Sequence, residues 1–191
     1  MVKIISFMGV DGSGKSTLIQ KLKKQFKIKY LHLRPYFFIT DKRITIKNPH
    51  KKKNLHSTFV SFIKLIMWLF MYKFFFYINK KKVGKLIIFD RYAHDILIDP
   101  IRYKLKLPKH IREKILTFFP EPDLWIILNV NPKIAYKRKK EISLKETTRQ
   151  TREYLKFAKT KKNSIVIMTN KNLKKSTLIL LKYIKKHYGN N

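Results

Sequence analysis

Residues 2–8 form an apolar run that passes straight into Gly9-Val10-Asp11-Gly12-Ser13-Gly14-Lys15-Ser16-Thr17, a match to G-x-x-x-x-G-K-[ST]. No other stretch limits the architecture of this chain so tightly. Glycines at these positions let backbone N–H groups converge on phosphate oxygens, and the helix that must follow adds its N-terminal dipole. A buried strand has to precede the loop and a helix has to leave it. Three of the five glycines of the chain lie between Gly9 and Gly14, and the bare pattern arises by chance on the order of 0.002 times in a chain of this composition and length. An incidental glycine turn is the poorer explanation. The loop residues Gly9, Asp11, Gly12, Ser13, Gly14, Lys15, Ser16 and Thr17 are therefore expected to hold a nucleotide. Lys15 would place a point charge on its β- and γ-phosphates and the Ser16 hydroxyl would ligate Mg²⁺, which makes ATP and Mg²⁺ the expected cofactors.

Apolar runs of strand length recur at 28–33, 85–90, 124–130 and 164–169, rich in Ile, Val, Leu and Phe and nearly continuous in hydrophobicity. Strands covered on both faces have this character. Between them lie helical segments: 16–27, carrying Leu18, Ile19, Leu22 and Phe26; a helix opened by Pro132 at its first position; and 173–187. The alternation predicts an α/β fold of the P-loop NTPase class, with a five-stranded parallel sheet, helices on both faces and one domain over 1–191. Ligands of such sheets bind outside the carboxyl ends of the strands, so chemistry is to be sought in the residues just beyond each strand.

Composition narrows the function classes. The chain has 45 Lys+Arg against 11 Asp+Glu, a formal charge of +34, and 45% hydrophobic residues, enough for a core despite the charge. With no cysteine it has no disulfide, thiolate zinc site or thiol nucleophile, and its six histidines show no metal-ligand spacing. The basic excess has two readings: a composition biased toward residues with AT-rich codons, or a polyanion partner such as nucleic acid or a membrane surface. The first accounts for the lysines more simply, and nucleic acid is possible but not favoured. The segment 59–78 is aromatic and long enough to cross a bilayer, but it contains Lys64 and Lys73, each costing roughly 2.5 to 3.5 kcal/mol at depth. A buried or partly buried helix is expected there, with core packing preferred over stacking on an acceptor and a surface contact with a membrane as the lesser alternative. No transmembrane span and no leader are expected, hence a cytoplasmic protein. A polar, basic segment at 41–54 reads as a long loop.

Carboxylates are scarce enough that their positions carry information: four of the six aspartates are at 11, 90, 95 and 99. Phe89-Asp90-Arg91-Tyr92 ends the third apolar run, where Asp90 can hold a metal, directly or through water, and Arg91 can fork onto a phosphate. Asp95 and Asp99 come next, four residues apart and expected on one helix face, with substrate contact and salt bridges to lysines both open. Arginine is rare, 8 against 37 lysines. Its use at Arg34, Arg91 and Arg138 suggests sites that need a planar fork. Arg149 and Arg152 read equally well as clamps or as a solvated helix face.

The chain resembles the thymidylate kinase-like branch of the P-loop nucleoside monophosphate kinases over essentially its whole length. The resemblance rests on Phe7 to Thr17, Asp90-Arg91-Tyr92, Pro122-Asp123-Leu124, Asn131-Pro132, and Arg138 with Glu141 in Arg-Lys-Lys-Glu. It implies a small phosphorylated acceptor, with Asp11 near its sugar, Arg34 and Arg91 on its phosphate, Asp90 and Tyr92 beside it, and Asp90 also at the metal and transferred phosphoryl. It further implies a short basic lid at about 137–150 with Arg138 as its catalytic arginine beside Lys15, Asp90 and Arg91, and a homodimer. Two features depart from the family. Arg34 is followed by Pro35-Tyr36-Phe37 rather than Glu-Pro-Gly-Gly, and Phe70 is followed four residues later by Phe74 rather than arginine. The expected activity is transfer of the ATP γ-phosphoryl to a nucleoside monophosphate, with dTMP first. A non-nucleotide acceptor such as a sugar or sugar phosphate is the alternative, and a basic polyanion binder with a degenerate loop is the third.

Overall fold

The apolar runs become five strands: β1 (Lys3–Met8), β2 (Ile28–His32), β3 (Leu86–Asp90), β4 (Leu124–Asn129) and β5 (Ser164–Met168). The computed structural model describes residues 3–33, 55–80, 86–170 and 173–188. Arg34, the basic segment 41–54 and the lysines at 81, 82 and 85 lie outside the described residues.

All strands are parallel, in the order β2-β3-β1-β4-β5. Successive side chains of a strand point to opposite faces, and both faces are covered, which is why the strands carry unbroken apolar sequence. Ile4, Met8, Ile87, Phe89, Trp125 and Ile127 share a core with α2 (Thr58–Lys80), α3 (Lys109–Leu116) and α5 (Leu144–Lys159). On the opposite face Ile5, Phe7, Ile88, Ile126 and Leu128 pack with Leu18, Ile19 and Leu22 of α1 (Lys15–Lys23) and Leu180, Leu181 and Ile184 of α6 (Leu173–Tyr188). Between β4 and α5 lies α4 (Pro132–Arg138). Pro132 stands at its start as expected, and the Asn131 side chain caps it by accepting from the Lys133 N–H at 2.9 Å. Helix α1 stops four residues short of the expected 27, because Ile28 must already be extended to pair with Leu86.

The long aromatic helix α2 is partly buried. Ser61, Leu65, Trp68, Tyr72, Phe75 and Asn79, spaced three and four apart, face the protein. Its other side leaves Phe59, Phe70 and Tyr77 exposed by 71%, 67% and 75%, with Phe62 and Phe74 exposed as well. By length and composition Thr58–Asn79 could cross a membrane. In this fold it connects two hydrogen-bonded neighbours, β2 and β3, and packs over them.

His94 is buried in this core against Tyr92, Trp125 and Phe157, and its Nδ1 finds no hydrogen-bond partner among the described residues. Burial, helped by Lys161, lowers its pKa from the usual 6.5 to about 3. The unfolded chain therefore binds a proton below pH 6.5 that the folded chain refuses. The stability this residue contributes is complete above pH 6.5 and is lost as pH falls toward 3. Between pH 8 and pH 5 the loss is about 2 kcal/mol. Urea titrations at both values are expected to show it in the native chain and to show that much less acid sensitivity in His94→Phe.

Candidate active site

The order of the sheet brings the carboxyl ends of β1 and β3 side by side, with Phe7 in register with Asp90. Everything placed after those strands meets at one crevice. The loop after β1 uses glycine where no other residue fits: Gly9, Gly12 and Gly14 have φ of 146°, 76° and 93°. A Cβ on Gly12 would lie 2.4 Å from the carbonyl oxygen of Ala135 in α4, so the loop is seated against that helix as closely as backbone allows. Gly12→Ala is expected to lower stability by about 1 to 3 kcal/mol through strain at this φ and the clash. It should also lower affinity for nucleotide, as read by thermal unfolding with and without ATP.

Lys15, the first residue of α1, is buried and folds back over the loop. Its Nζ donates to the carbonyl oxygens of Gly9 at 2.6 Å and Val10 at 2.8 Å and to Ser13 Oγ at 3.3 Å. Burial and the neighbouring charge of Arg91 lower its pKa to about 7, although Asp90 and Asp95 pull the other way. A phosphate arriving at the loop would supply the negative charge this ammonium lacks. Ser16 and Thr17 are exposed in the first turn of α1. The loop is tied from behind by Thr169, whose hydroxyl donates to the Ser13 carbonyl oxygen at 2.8 Å.

Asp90 ends β3 nearly buried. Its Oδ2 accepts from the Tyr30 hydroxyl at 3.1 Å and lies 3.8 Å from His32 Nδ1, while Oδ1 is buried without a partner among the described residues. Burial alone would raise its pKa, but His32, Lys15 and Arg91 together hold it at about 2, so the carboxylate is ionised at neutral pH. An ionised oxygen with no partner, beside a phosphate loop and an exposed Ser16 hydroxyl, fits a Mg²⁺ site. Among the described residues no three His, Asp or Glu side chains cluster as a metal site of their own. One hydroxyl and one carboxylate suit a Mg²⁺ that takes most of its ligands from phosphates and water.

Arg91 has a left-handed backbone, φ 72°, rare for a residue with a side chain. That twist turns the chain out of β3 and aims its guanidinium across the crevice. Nη2 donates to Asp11 Oδ1 at 2.7 Å, and Nη1 donates to Asp95 Oδ2 at 2.6 Å and to the Tyr154 hydroxyl oxygen at 3.2 Å. Asp95, fully buried, also accepts from the Tyr103 and Tyr154 hydroxyls. Of the two roles open for Asp95 and Asp99, substrate contact or salt bridges to lysines, the structure shows ion pairs, and those seen among the described residues are to arginines, with Arg102 Nε 3.2 Å from Asp99 Oδ2. The segment is not a regular α-helix but two short 3₁₀ turns, Ala93–Leu97 and Ile101–Tyr103.

The structure gathers Asp11, Lys15, Asp90 and Arg91 in the crevice and excludes Tyr92 from it. Tyr92 is fully buried among Tyr72, Phe89 and Trp125 and donates its hydroxyl to the Pro120 carbonyl oxygen at 2.6 Å. The expected contact of Tyr92 with the acceptor is corrected to a core role, because a side chain leaving the chain after the twisted Arg91 points into the α2 layer. Arg138 is held at the rim, donating to the carbonyl oxygens of Gly12, Thr169 and Asn170 at 3.1–3.2 Å. The residues 137–150 comprise the last turn of α4, the connection to α5 and its first half. Arg149 is no free surface cation, because it donates to the Ile98 carbonyl oxygen at 2.7 Å and pairs with Glu146. Arg152 is exposed, and so are Phe70 and Phe74. Sequence reasoning missed Tyr30, His32, Tyr103, Arg102 and Tyr154 as parts of the site. The spacing of Arg102 three residues after Asp99 was the one local signal among them.

A sequence model for the thymidylate kinase family matches residues 7–177. A probable thymidylate kinase of Methanosarcina barkeri is 28% identical over 145 residues, spanning 71% of this chain and 69% of that protein. Among solved structures, the thymidylate kinase of Candida albicans superposes with a TM-score of 0.66 at 17% identity, covering 96% of this chain and 91% of its own. The deoxyadenosine kinase of M. mycoides with bound dATP gives 0.62 at 19% identity, covering 96% and 99%. At such identities these superpositions establish the fold.

Proposed function

Because the chain belongs to the thymidylate kinase family, we propose that it transfers the γ-phosphoryl group of ATP to the phosphate of a nucleoside monophosphate, with dTMP as the first candidate. It is a nucleotide kinase by membership; the donor, the acceptor and the residue roles are our reading. One observation carries it: the buried, ionised Asp90, with an unpartnered oxygen, is a close charged neighbour of both Lys15 and Arg91. Phosphoryl transfer asks a protein for position and charge more than for covalent chemistry.

In this reading the glycine loop and Lys15 hold the donor phosphates. Ser16 and Asp90 hold Mg²⁺, which supplies positive charge to the phosphate oxygens when bound. Arg91, fixed by Asp95 and Tyr154, offers one edge of its fork to the acceptor, and Asp11 orients that fork from the loop side. Asp90 is too acidic at about 2 to accept a proton at neutral pH, and a phosphate acceptor, already ionised, needs no base. Arg34 and Arg138 are kept as further cations for the acceptor and the transferring group. Arg138 would have to exchange its carbonyl partners for phosphate. Thymine readout is not supported by Phe70 and Phe74, which are exposed on α2.

The test is ADP release with ATP, Mg²⁺ and a panel of nucleoside monophosphates, nucleosides and sugars. Turnover with monophosphates is expected, dTMP foremost. Turnover confined to sugars or unphosphorylated nucleosides would overturn the reading.

A further inference from the structure

Resting on that reading, we propose that Arg102 is the partner of Arg91 in gripping the acceptor, so that the two guanidiniums together form a site for a phosphate monoester. The case begins with Asp11. Its Oδ1 is bonded by Arg91 Nη2 and its Oδ2 by Arg102 Nη2, so two arginines from different turns converge on the two oxygens of one small anion. A pair of forks spaced for both oxygens of a carboxylate is spaced for two oxygens of one phosphate. Arg91 comes from the end of β3 and Arg102 from the second 3₁₀ turn, so the pair is drawn from two elements and not from a single helix face.

The way Arg102 is held separates a support from a working end. Asp99 accepts from its backbone N–H and from Nε, both at 3.2 Å, which sets the plane of the guanidinium. Nη2 projects beyond that support and is shared between Asp11 and Glu141, the latter at 3.2 Å. The side chain is 17% exposed, so it is anchored but reachable. Glu141, in the connection between α4 and α5, also pairs with Lys139 at 2.7 Å. When a phosphate takes Arg102 Nη2 and the second N–H of Arg91 Nη2, Glu141 keeps Lys139 and Asp11 keeps its bond to Arg91, so neither carboxylate is stranded. Asp99 stays in place as the positioning residue. Arginine is required here because Nε is spent on support while Nη2 binds, a division that a lysine ammonium on a flexible stem does not make.

The experiment measures equilibrium binding in the presence of ADP and Mg²⁺, with dTMP, dAMP and glucose 6-phosphate as phosphorylated probes and thymidine, deoxyadenosine and glucose as their matched controls. Native protein is expected to bind at least one phosphorylated probe better than its control. In Arg102→Gln that preference should fall at least about 30-fold while ADP affinity changes less than about twofold, and Arg102→Lys should recover only part of it. Glu141→Gln, which removes a competitor for Nη2, should bind the phosphorylated probe as well as the native protein or better. Near-UV circular dichroism shows whether each variant is folded, and Arg102→Lys supplies the comparison if Arg102→Gln is not. A phosphate preference unchanged in both Arg102 variants would overturn this proposal and leave the kinase reading standing. Native protein that binds only the unphosphorylated probes would instead overturn the reading beneath it.

Discussion

Lys15→Met and Asp90→Asn are each expected to cut turnover by about a thousandfold or more while leaving a folded protein. In the proposed reading both side chains supply charge where the group is transferred. Lys15 is the loop's own cation, already bonded to the carbonyl oxygens of Gly9 and Val10. Methionine keeps its length and buries as readily, so the packing around α1 persists. Asp90 offers a buried anionic oxygen that nothing described in the protein satisfies. Asparagine retains the shape and the bond from Tyr30 but removes the charge. The check is steady-state kinetics with ATP and the best acceptor at saturating Mg²⁺, beside a thermal melt. Near-native turnover in either variant would show that the crevice between β1 and β3 is not where transfer occurs.

Asp95→Ala is expected to cost about 3 to 5 kcal/mol of stability, the largest loss foreseen for one side chain outside the hydrophobic core. Asp95 is completely buried and accepts from Arg91, Tyr103 and Tyr154. Truncation leaves two tyrosine hydroxyls and a buried guanidinium short of an acceptor, and such unmet groups dominate the cost of breaking a buried network. Asp11 remains on Arg91, so the cation is not wholly bare. Asp95→Asn should lose less stability, because the amide oxygen still accepts one bond. It should nevertheless weaken acceptor binding by about tenfold or more, since Arg91 loses the charge that sets its direction. Urea titration reads the first effect and acceptor KM against ATP KM reads the second. A loss below about 0.5 kcal/mol in Asp95→Ala would mean that the network does not hold the site together.

Much of this was legible in the chain. The glycine loop dictated strand, turn and helix in order, though the helix ends at Lys23 rather than at 27, and the unbroken apolar runs announced strands covered on both sides. Asp90 and Arg91 could be chosen because they end such a run, which in this fold is the mouth of the crevice. The helix 59–78 was legible as a buried or partly buried one, but not its inward face, because aromatic residues on every side leave hydrophobic period unable to say which stripe faces the sheet. Only packing shows Trp68, Tyr72 and Phe75 inside and Phe59, Phe70 and Tyr77 outside. Tyr92 was misplaced because the left-handed twist at Arg91, which sends neighbouring side chains to opposite destinations, has no sequence signature in a non-glycine residue.

The local chemistry of this protein, then, was determined by its sequence: which residues could cradle phosphate, hold a metal or fork onto an anion, and that they would lie beyond parallel strands. The partnerships were decided by the tertiary structure. Asp11 meets Arg102 across 91 residues, Arg91 meets Tyr154 across 63, and Asp90 meets Tyr30 across 60. Residues three or four apart on a helix announce their contacts by spacing, but residues on different elements meet according to the order and register of the strands that carry them. That order, β2-β3-β1-β4-β5, turns scattered acids and arginines into one crevice in a chain whose net charge of +34 says nothing of where they meet.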